Sequence, residues 1–427
     1  MQSISHKSLP SFSFLLFCLL LLPHSAFGQT LAQEAEDNIT TYQLQSPASN
    51  QFKMIYEVSA TTPGAKYYYN ALRFGNEAEV NGAFDLMTGD SLKWEVVDGK
   101  HARRNGHPKA SLSGKFIKVT LARPVPEKGE ARIRIIKTYK NKSTYFKKDD
   151  EVIFSRSLGI KRNVIILPKG HELTSCNYPS QVTVDEKGQL VVSFMNPGSR
   201  SIPFKLSARA ISKTPKLNTD SGSSTPSAKG SGRDKSKARL NYRPSVRTTQ
   251  NREIVYFLQN PSSNSFRLYH DYTETREGMD KYLNVVRPGS KASNPSAYIL
   301  DTGEELKVET LRGKAISDKG IELNQEITDE TEVVVIWFEP VQKGQSVRLR
   351  IEETYTDPNR YLLNDGELIW DRSFGRNRNT VVLPKGWFLT TSSMPATIEE
   401  TEDGSISLFF LNDRPDSLDV YIKAQKR

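Results

Sequence analysis

The sequence predicts an all-β protein made of two duplicated β-sandwich units joined by a flexible linker. Three observations support this fold class: an internal repeat, short alternating strands separated by turn residues, and one polar stretch between the two copies. The chain has 427 residues, of which 37% are hydrophobic and 25% are charged. This composition supplies enough apolar material for folded cores, and the length allows two or three domains.

The internal repeat is an ungapped match between residues 138–196 and 354–412, with 22 identities over 59 positions at a constant offset of 216. Its strongest block pairs EVIFSRSLGIKRNVIILPKGHELT with ELIWDRSFGRNRNTVVLPKGWFLT. Upstream, residues 88–100 match residues 302–314 at an offset of 214. Self-similarity over such a length indicates duplicated structural units. We place repeat 1 at residues 42–210 and repeat 2 at residues 251–427.

Short strands with a period of two fill both repeats. Residues 115–123 alternate so that Ile117, Val119 and Leu121 share the apolar face, which is expected to face the core. Residues 131–135 and 347–351 place apolar side chains inward and alternate arginines outward. These outward arginines are Arg132, Arg134, Arg348 and Arg350.

Gly, Pro, Asn and Asp separate the strands, and we expect nine to eleven strands per unit. At the level of architecture this organisation resembles tandem immunoglobulin- or fibronectin-type sandwiches, which need about seven strands. Residues 275–287 have apolar spacings that fit either a helix or a strand. The corresponding segment of repeat 1, KYYYNALRF, favours the strand.

The segments outside the repeats have distinct compositions. Residues 1–28 resemble a secretory signal peptide, with a basic start, an apolar run over residues 12–22 and small residues before a cut ahead of Gln29. Residues 29–41 are expected to be a disordered acidic lead-in. Residues 211–250 are rich in Ser, Gly and Lys and are expected to be a flexible basic linker.

Cysteine content fits the same compartment. After cleavage of the signal peptide the chain keeps one cysteine, Cys176, so it has no intramolecular disulfide. We therefore expect a secreted or periplasmic bacterial protein rather than an animal extracellular one. Beyond the signal peptide, no stretch is apolar enough to predict a transmembrane span.

Charge divides the chain into unequal halves. Repeat 1 holds 27 basic and 15 acidic residues, for a net charge of +12. The linker holds 9 basic and 2 acidic residues, and repeat 2 holds 22 basic and 29 acidic residues, for net charges of +7 and −7. The basic half suits anionic partners such as an acidic glycan or another envelope component. Alternatively, the opposite charges draw the repeats together, within one chain or between chains, or bring in a protein partner.

The duplicated block RSxGxxRN…LPKG supplies the candidate ligand-binding residues. Arginine offers a fork of donors to carboxylates, phosphates or sulfates, and lysine a point charge. The matched residues are Arg156, Arg162 and Lys169 in repeat 1, and Arg372, Arg378 and Lys385 in repeat 2. Trp387, which replaces His171 beside a turn, is expected to be an exposed ring suited to ligand contact. The competing interpretation assigns the block to turn formation and packing.

No nucleophile elbow, zinc-binding motif or phosphate-binding glycine loop occurs in the sequence, so no catalytic residue, metal site or cofactor is predicted. Nucleic acid is not expected as the partner of a secreted chain without a nucleic-acid-binding motif. The sequence therefore predicts a non-enzymatic binding or assembly module at the cell envelope. The alternative is a secreted glycan or peptide hydrolase whose carboxylates are dispersed along the chain.

Overall fold

The computed structural model describes residues 33–73, 77–211, 247–414 and 416–427. The predicted signal peptide and all of the predicted linker except Ile211 and residues 247–250 lie outside the described residues.

Repeat 1 consists of three sheets and one short helix, α1 (Gly99–Arg104). Its described strands are β1 (Ala35–Leu44), β2 (Gln51–Ala60), β3 (Tyr67–Leu72), β4 (Glu77–Asp85), β5 (Trp94–Asp98), β6 (Lys115–Thr120), β7 (Ala131–Lys140), β8 (Tyr145–Lys148), β9 (Glu151–Leu158), β10 (Arg162–Ile166), β11 (His171–Cys176), β12 (Gln181–Val184), β13 (Leu190–Met195) and β14 (Ile202–Ala210).

Repeat 2 has the same content, with a short helix α2 (Lys314–Asp318). Its described strands are β15 (Arg252–Leu258), β16 (Ser265–Glu274), β17 (Lys281–Val285), β18 (Lys291–Ile299), β19 (Lys307–Arg312), β20 (Glu332–Trp337), β21 (Val347–Thr356), β22 (Tyr361–Asn364), β23 (Glu367–Phe374), β24 (Arg378–Val382), β25 (Trp387–Ser392), β26 (Thr397–Glu400), β27 (Ile406–Leu411) and β28 (Leu418–Lys426).

Sheet topology is identical in the two repeats. The seven-stranded sheets run β12-β13-β10-β1-β2-β7-β4 and β26-β27-β24-β15-β16-β21-β18, and each repeat adds a four-stranded and a three-stranded sheet. In each large sheet the first strand of the repeat pairs in parallel with a later one, β1 with β10 and β15 with β24. The predicted duplication of β-sandwich units is therefore confirmed.

Each core lies between the seven-stranded sheet and the two smaller sheets. In repeat 1 it joins Tyr42 and Ile135 of the large sheet to Phe154 of the four-stranded sheet and Val119 of the three-stranded sheet. The inward set Ile117, Val119 and Leu121 is buried, as predicted. The alternating pattern predicts the inward face correctly here because apolar layers cover one face of the sheet.

The number of strands exceeds the expectation of nine to eleven, since each repeat has fourteen among the described residues. The segment that fitted either a helix or a strand contains strand β17, as favoured.

The acidic lead-in differs from its prediction. Strand β1 begins at Ala35 and pairs with both β2 and β10, so the part of residues 29–41 from Ala35 onward is not disordered. The first half of β1 has too few apolar residues for the sequence pattern to predict a strand there. It is held by backbone hydrogen bonds on both sides and by the buried side chain of Asp37.

Two of the four arginines predicted to point outward also differ from their prediction. Arg132 and Arg348 are only 5% and 2% exposed. A period of two identifies which side chains share a face of the sheet, but it does not show that another part of the molecule covers that face. Here the covering part is the other repeat.

The C-terminal end of the predicted linker contacts both repeats. The backbone N–H of Arg247 donates to Gln181 Oε1, and Arg247 Nη1 donates to the carbonyl of Gly375. Across the described residues, no helix is long and apolar enough to cross a membrane.

Candidate functional site

Arg162 and Arg378, both predicted ligand-binding residues, meet at the interface between the repeats. Nη2 of Arg162 lies 3.0 Å from Oδ1 of Asp37, and Nη1 of Arg378 lies 2.5 Å from the same oxygen. Asp37 is placed there by an irregularity in β1, where its φ is 50°. The two arginines are equivalent in the repeats, so one carboxylate is shared by both copies.

A third arginine completes this cluster. Arg348 Nη2 lies 3.0 Å from Asp37 Oδ2, and its Nε lies 2.8 Å from Oε1 of Glu130. Burial disfavours the charged form of Asp37, but the three guanidinium groups outweigh burial and hold its pKa well below the usual value. Asp37 therefore stays ionised and links repeat 1 to two arginines of repeat 2.

A second ion pair crosses the same interface. Arg132 of repeat 1 donates from Nε and Nη2 to the two carboxylate oxygens of Asp301 in repeat 2, at 2.8 and 2.7 Å. Beside it the backbones approach closely. The N–H of Glu130 donates to the carbonyl of Leu300, and a Cβ at Gly129 would lie 2.3 Å from that carbonyl oxygen. The repeats are thus docked through buried, directional contacts.

Arg156 and Arg372 lie inside their own repeats, against aromatic rings. Cζ of Arg156 is 5.6 Å from the ring centroids of Tyr42 and Phe52 and 5.8 Å from that of Tyr139. Cζ of Arg372 is 4.9 to 5.8 Å from the equivalent rings of Tyr256, Phe266 and Tyr355, and also 5.6 Å from that of Trp370. Such contacts stabilise a guanidinium group away from water.

The two arginines differ in their ionic partners. Arg372 Nη1 lies 3.4 Å from Oδ2 of Asp357, which also pairs with Arg360 at 3.2 Å. Among the described residues Arg156 has no carboxylate at ion-pair distance, and its buried Nη1 has no hydrogen-bond partner. The aromatic surroundings are therefore duplicated, whereas the acidic partner is present only in repeat 2.

The remaining predicted residues lie apart from these clusters. Lys169 and Lys385 are exposed on turns. Trp387 is 8% exposed and packs in the core of repeat 2, so the expectation of an exposed ring is wrong. Its backbone pairs with Lys426 of β28, and its ring is buried because it packs against the apolar core cluster of repeat 2.

Sequence reasoning missed a polar pair near Arg156 and the equivalent pair near Arg372. Lys137 Nζ donates to Oδ1 of Asn70 at 2.6 Å. At the equivalent place in repeat 2, Asn284 Nδ2 donates to Oε2 of Glu353 at 2.7 Å. We call Asn70, Lys137, Tyr139 and Arg156 the seam cluster of repeat 1, because they come from all three of its sheets. The seam cluster of repeat 2 consists of the equivalent residues, Asn284, Glu353, Tyr355 and Arg372.

The pKa values of the equivalent residues Lys137 and Glu353 are shifted in opposite directions. Burial, together with the charge of Arg156, lowers the pKa of Lys137 to about 7. Burial raises the pKa of Glu353 to about 7, against the opposing hydrogen bonds from Asn284 and Tyr355. The signal available in the sequence was the repeat alignment itself, which places a lysine opposite a glutamate at inward-facing positions.

An exposed contrast in charge between the repeats lies over the three-stranded sheets. Residues 99–114, which we call the basic cap, contain four basic and no acidic residues. Residues 313–331, the equivalent acidic cap, contain two basic and five acidic residues. All four basic side chains of the basic cap are exposed, namely Lys100, Arg103, Arg104 and Lys109.

The basic cap is fixed to the sheet beneath it. Asp98 Oδ1 accepts from the N–H of His101 at 2.7 Å and so caps α1. Ala102 and Ala110 pack with Tyr69 and Phe116 in a small buried cluster. The four cationic side chains are therefore presented on a defined surface.

Metal ligation is not suggested by the side-chain arrangement. Within the part of the chain that the structure describes, no group of three or more His, Cys, Asp or Glu residues is placed to hold a metal ion.

Comparison with known proteins adds little to this picture. No protein-family model matches the chain, and no curated protein matches it. Among solved structures, an M1 zinc metallopeptidase from Deinococcus radiodurans matches with a TM-score of 0.29 at 9% identity, over 42% of each chain. An aminopeptidase N family protein from Idiomarina loihiensis matches with a TM-score of 0.25 at 10% identity, over 40% of this chain and 29% of its own. The matched part thus spans less than half of either neighbour, and at these TM-scores the likeness carries no argument about function.

Proposed function

We propose that this protein is a secreted, non-enzymatic binding module of the bacterial envelope, and that its basic cap contacts an anionic glycan. The observation that carries the proposal is the contrast between the caps. Two copies of one structural element differ by seven charges, from +4 in the basic cap to −3 in the acidic cap. A cluster of exposed cations of one sign raises the local concentration of polyanions.

The geometry supports a polyanion rather than a small ligand. Lys100, Arg103, Arg104 and Lys109 lie on the surface of one short helix and its following loop. Among the described residues none of these four side chains forms an ion pair. Several unpaired cations on one surface suit a ligand with repeated negative charges, whose affinity falls as salt screens the charges.

An anionic glycan fits this surface better than a lipid bilayer. Leu112, which is 54% exposed, is the one large apolar side chain of the basic cap that is strongly exposed. Stable membrane binding by an interfacial helix needs a broad apolar face, and α1 has only six residues. We therefore expect charge-dependent binding without insertion.

The test measures binding of the mature chain to immobilised dextran sulfate, with uncharged dextran as the blank, over a range of salt concentrations. Replacing Lys100, Arg104 and Lys109 with Glu should weaken binding by about tenfold or more and flatten its salt dependence. The matched control replaces Lys142, Lys147 and Lys148 with Glu, which makes the same change in net charge at exposed positions elsewhere in repeat 1.

Equal losses in the two triple variants would reject the cap as the binding surface. Vesicles of phosphatidylglycerol form a second arm. Cap-dependent binding to vesicles without binding to dextran sulfate would replace the glycan with a lipid surface as the partner.

A further inference from the structure

A second site, separate from the basic cap, emerges from comparing the two seam clusters. We propose that the seam cluster of repeat 1 binds a single small oxyanion, of the size of a carboxylate group, between Arg156 and Lys137. In repeat 2 the corresponding charge is supplied by the chain itself.

Repeat 2 shows how this arrangement looks when it contains a carboxylate. Asp357 is fully buried and pairs with Arg372 at 3.4 Å and with Arg360 at 3.2 Å. Glu353 adds a second acidic group, which accepts a hydrogen bond from Asn284. The guanidinium group against the aromatic rings is thus balanced inside the fold.

Repeat 1 has the equivalent guanidinium group but lacks the two carboxylates. The position of Asp357 is taken by Asn141, which turns its Oδ1 towards the backbone N–H groups of Ser143 and Thr144. The position of Arg360 is taken by Thr144, and the position of Glu353 by Lys137. A buried acidic pair has therefore been exchanged for one amide and one additional cation.

The result is an accumulation of positive charge that is expensive to keep without an anion. Lys137 is 2% exposed, and its ammonium group hydrogen-bonds Asn70. Lys137 Nζ and Arg156 Cζ lie 5.6 and 5.8 Å from the centroid of the same Tyr139 ring, so their positive charges repel each other. Buried charges of one sign destabilise a fold unless they are paired or coordinate a ligand.

The cluster is also reachable and has an available donor. Arg156 is partly exposed, so the cluster meets solvent at its guanidinium side, whereas Lys137 is buried. The buried Nη1 of Arg156 has no partner and can donate to an incoming oxygen. A charge-assisted hydrogen bond of this kind is among the strong polar contacts in proteins.

The experiment titrates the mature chain with sodium sulfate, inorganic phosphate or D-galacturonate at constant ionic strength, using calorimetry. We expect binding of at least one probe, with affinity reduced by about tenfold or more in Arg156→Met. The matched control is Arg372→Met, the equivalent change in repeat 2, which should leave the affinity unchanged.

A gain-of-carboxylate variant keeps the test independent of folding defects. Asn141→Asp together with Thr144→Arg rebuilds in repeat 1 the pair that repeat 2 already has. This double variant should remain folded and should lose oxyanion binding, because its own carboxylate occupies Arg156. Binding that survives both Arg156→Met and the double variant would overturn the proposal, as would the absence of heat with all three probes.

The three probes distinguish the source of the anion. Preference for sulfate or phosphate indicates a free ion or an esterified group, whereas preference for galacturonate indicates a sugar acid. The triple variant of the basic cap should bind the preferred probe as the natural sequence does, so the outcome for this site is separate from the outcome for the proposed function.

Discussion

Repeat 1 and repeat 2 share one topology but place charges of opposite sign at equivalent positions, both at the surface and in the interior. The seam clusters show how this is tolerated. Asn70 offers its amide oxygen to Lys137, whereas Asn284 offers its amide N–H to Glu353. An amide side chain carries both an acceptor and donors, so one residue type can serve either sign of charge. Duplication therefore preserved the framework while the charges diverged.

The largest expected effect comes from removing Asp37, the carboxylate that the two repeats share. Asp37→Asn leaves Arg162, Arg348 and Arg378 without their common counter-ion. Breaking a buried ion pair by removing one partner costs about 3–5 kcal/mol, so the free energy of unfolding should fall by about that amount. Urea denaturation measures the loss. Asp90→Asn, at an exposed turn of the same repeat, is the control and should change stability by less than about 0.5 kcal/mol. A similar small change in Asp37→Asn would contradict the role of Asp37 as the link between repeats.

The next largest effects are changes in stability that depend on pH in opposite ways in the two seam clusters. For Glu353 the pKa rises from 4.5 in the unfolded chain to about 7, so its stabilising contribution is complete below pH 4.5 and is lost as pH rises through 7. Glu353→Gln should therefore make the protein more stable at pH 8, by at most roughly 3 kcal/mol, and change it little at pH 4.5.

Lys137 should give the opposite trend. Its pKa falls from 10.5 in the unfolded chain to about 7, so the cost of burying the charge is complete below pH 7 and vanishes as pH rises past 10.5. Lys137→Met should raise stability by a few kcal/mol at pH 6 and hardly at all at pH 10.5, in a buffer without oxyanions. Denaturation curves at these pH values measure both variants. Parallel pH trends in the two would contradict the opposite charge states.

A smaller effect compares Arg156 and Arg372, the two arginines packed against aromatic rings. Arg372→Met removes a partner of the buried Asp357, whereas Arg156→Met removes no ion pair that the described residues contain. We expect Arg372→Met to be more destabilising than Arg156→Met by about 1–2 kcal/mol, because the desolvated Asp357 then keeps Arg360 as its one ion-pair partner among the described residues. Thermal unfolding of the two single variants measures the difference. Equal losses would show that Asp357 does not depend on Arg372.

The smallest effect concerns the caps. Replacing Lys100, Arg104 and Lys109 with Glu should change the free energy of unfolding by less than about 0.5 kcal/mol per substitution, since these side chains are exposed. Urea denaturation checks this, and the triple replacement of Lys142, Lys147 and Lys148 is its control. A much larger loss would mean that the cap charges stabilise the fold.

Much of the architecture could be predicted from the sequence because repeats and a period of two are local signals. The ungapped match identified the duplication, and the alternation around Val119 identified the inward face. The docking of the repeats could not be predicted in this way. An arginine that alternates with apolar residues, such as Arg132, has the same pattern whether its face meets water or another unit.

The candidate site was predicted in part. The block containing Arg156 and Arg162 was chosen for its charge and duplication, yet the two side chains serve different places, one inside a repeat and one between repeats. Lys137 was missed because a single lysine in a strand ordinarily belongs to an exposed face. For the basic cap, the sequence predicted only that repeat 1 carries a net positive charge. The surface itself could not be predicted, because it is formed by a six-residue helix that is too short to give a recognisable periodicity.

The position of Asp37 has a consequence for the order in which the molecule can assemble. Asp37 lies near the start of the chain, and its partner Arg378 is 341 residues further on. β1 also needs β10 before it is paired on both edges. Long-range contacts of this kind form late, because a large part of the chain must be present before they can close. During synthesis the first strand therefore keeps an open edge and an unpaired carboxylate until β10 and Arg162 have been made, and Asp37 gains its two further arginines, Arg348 and Arg378, only when the second repeat has folded.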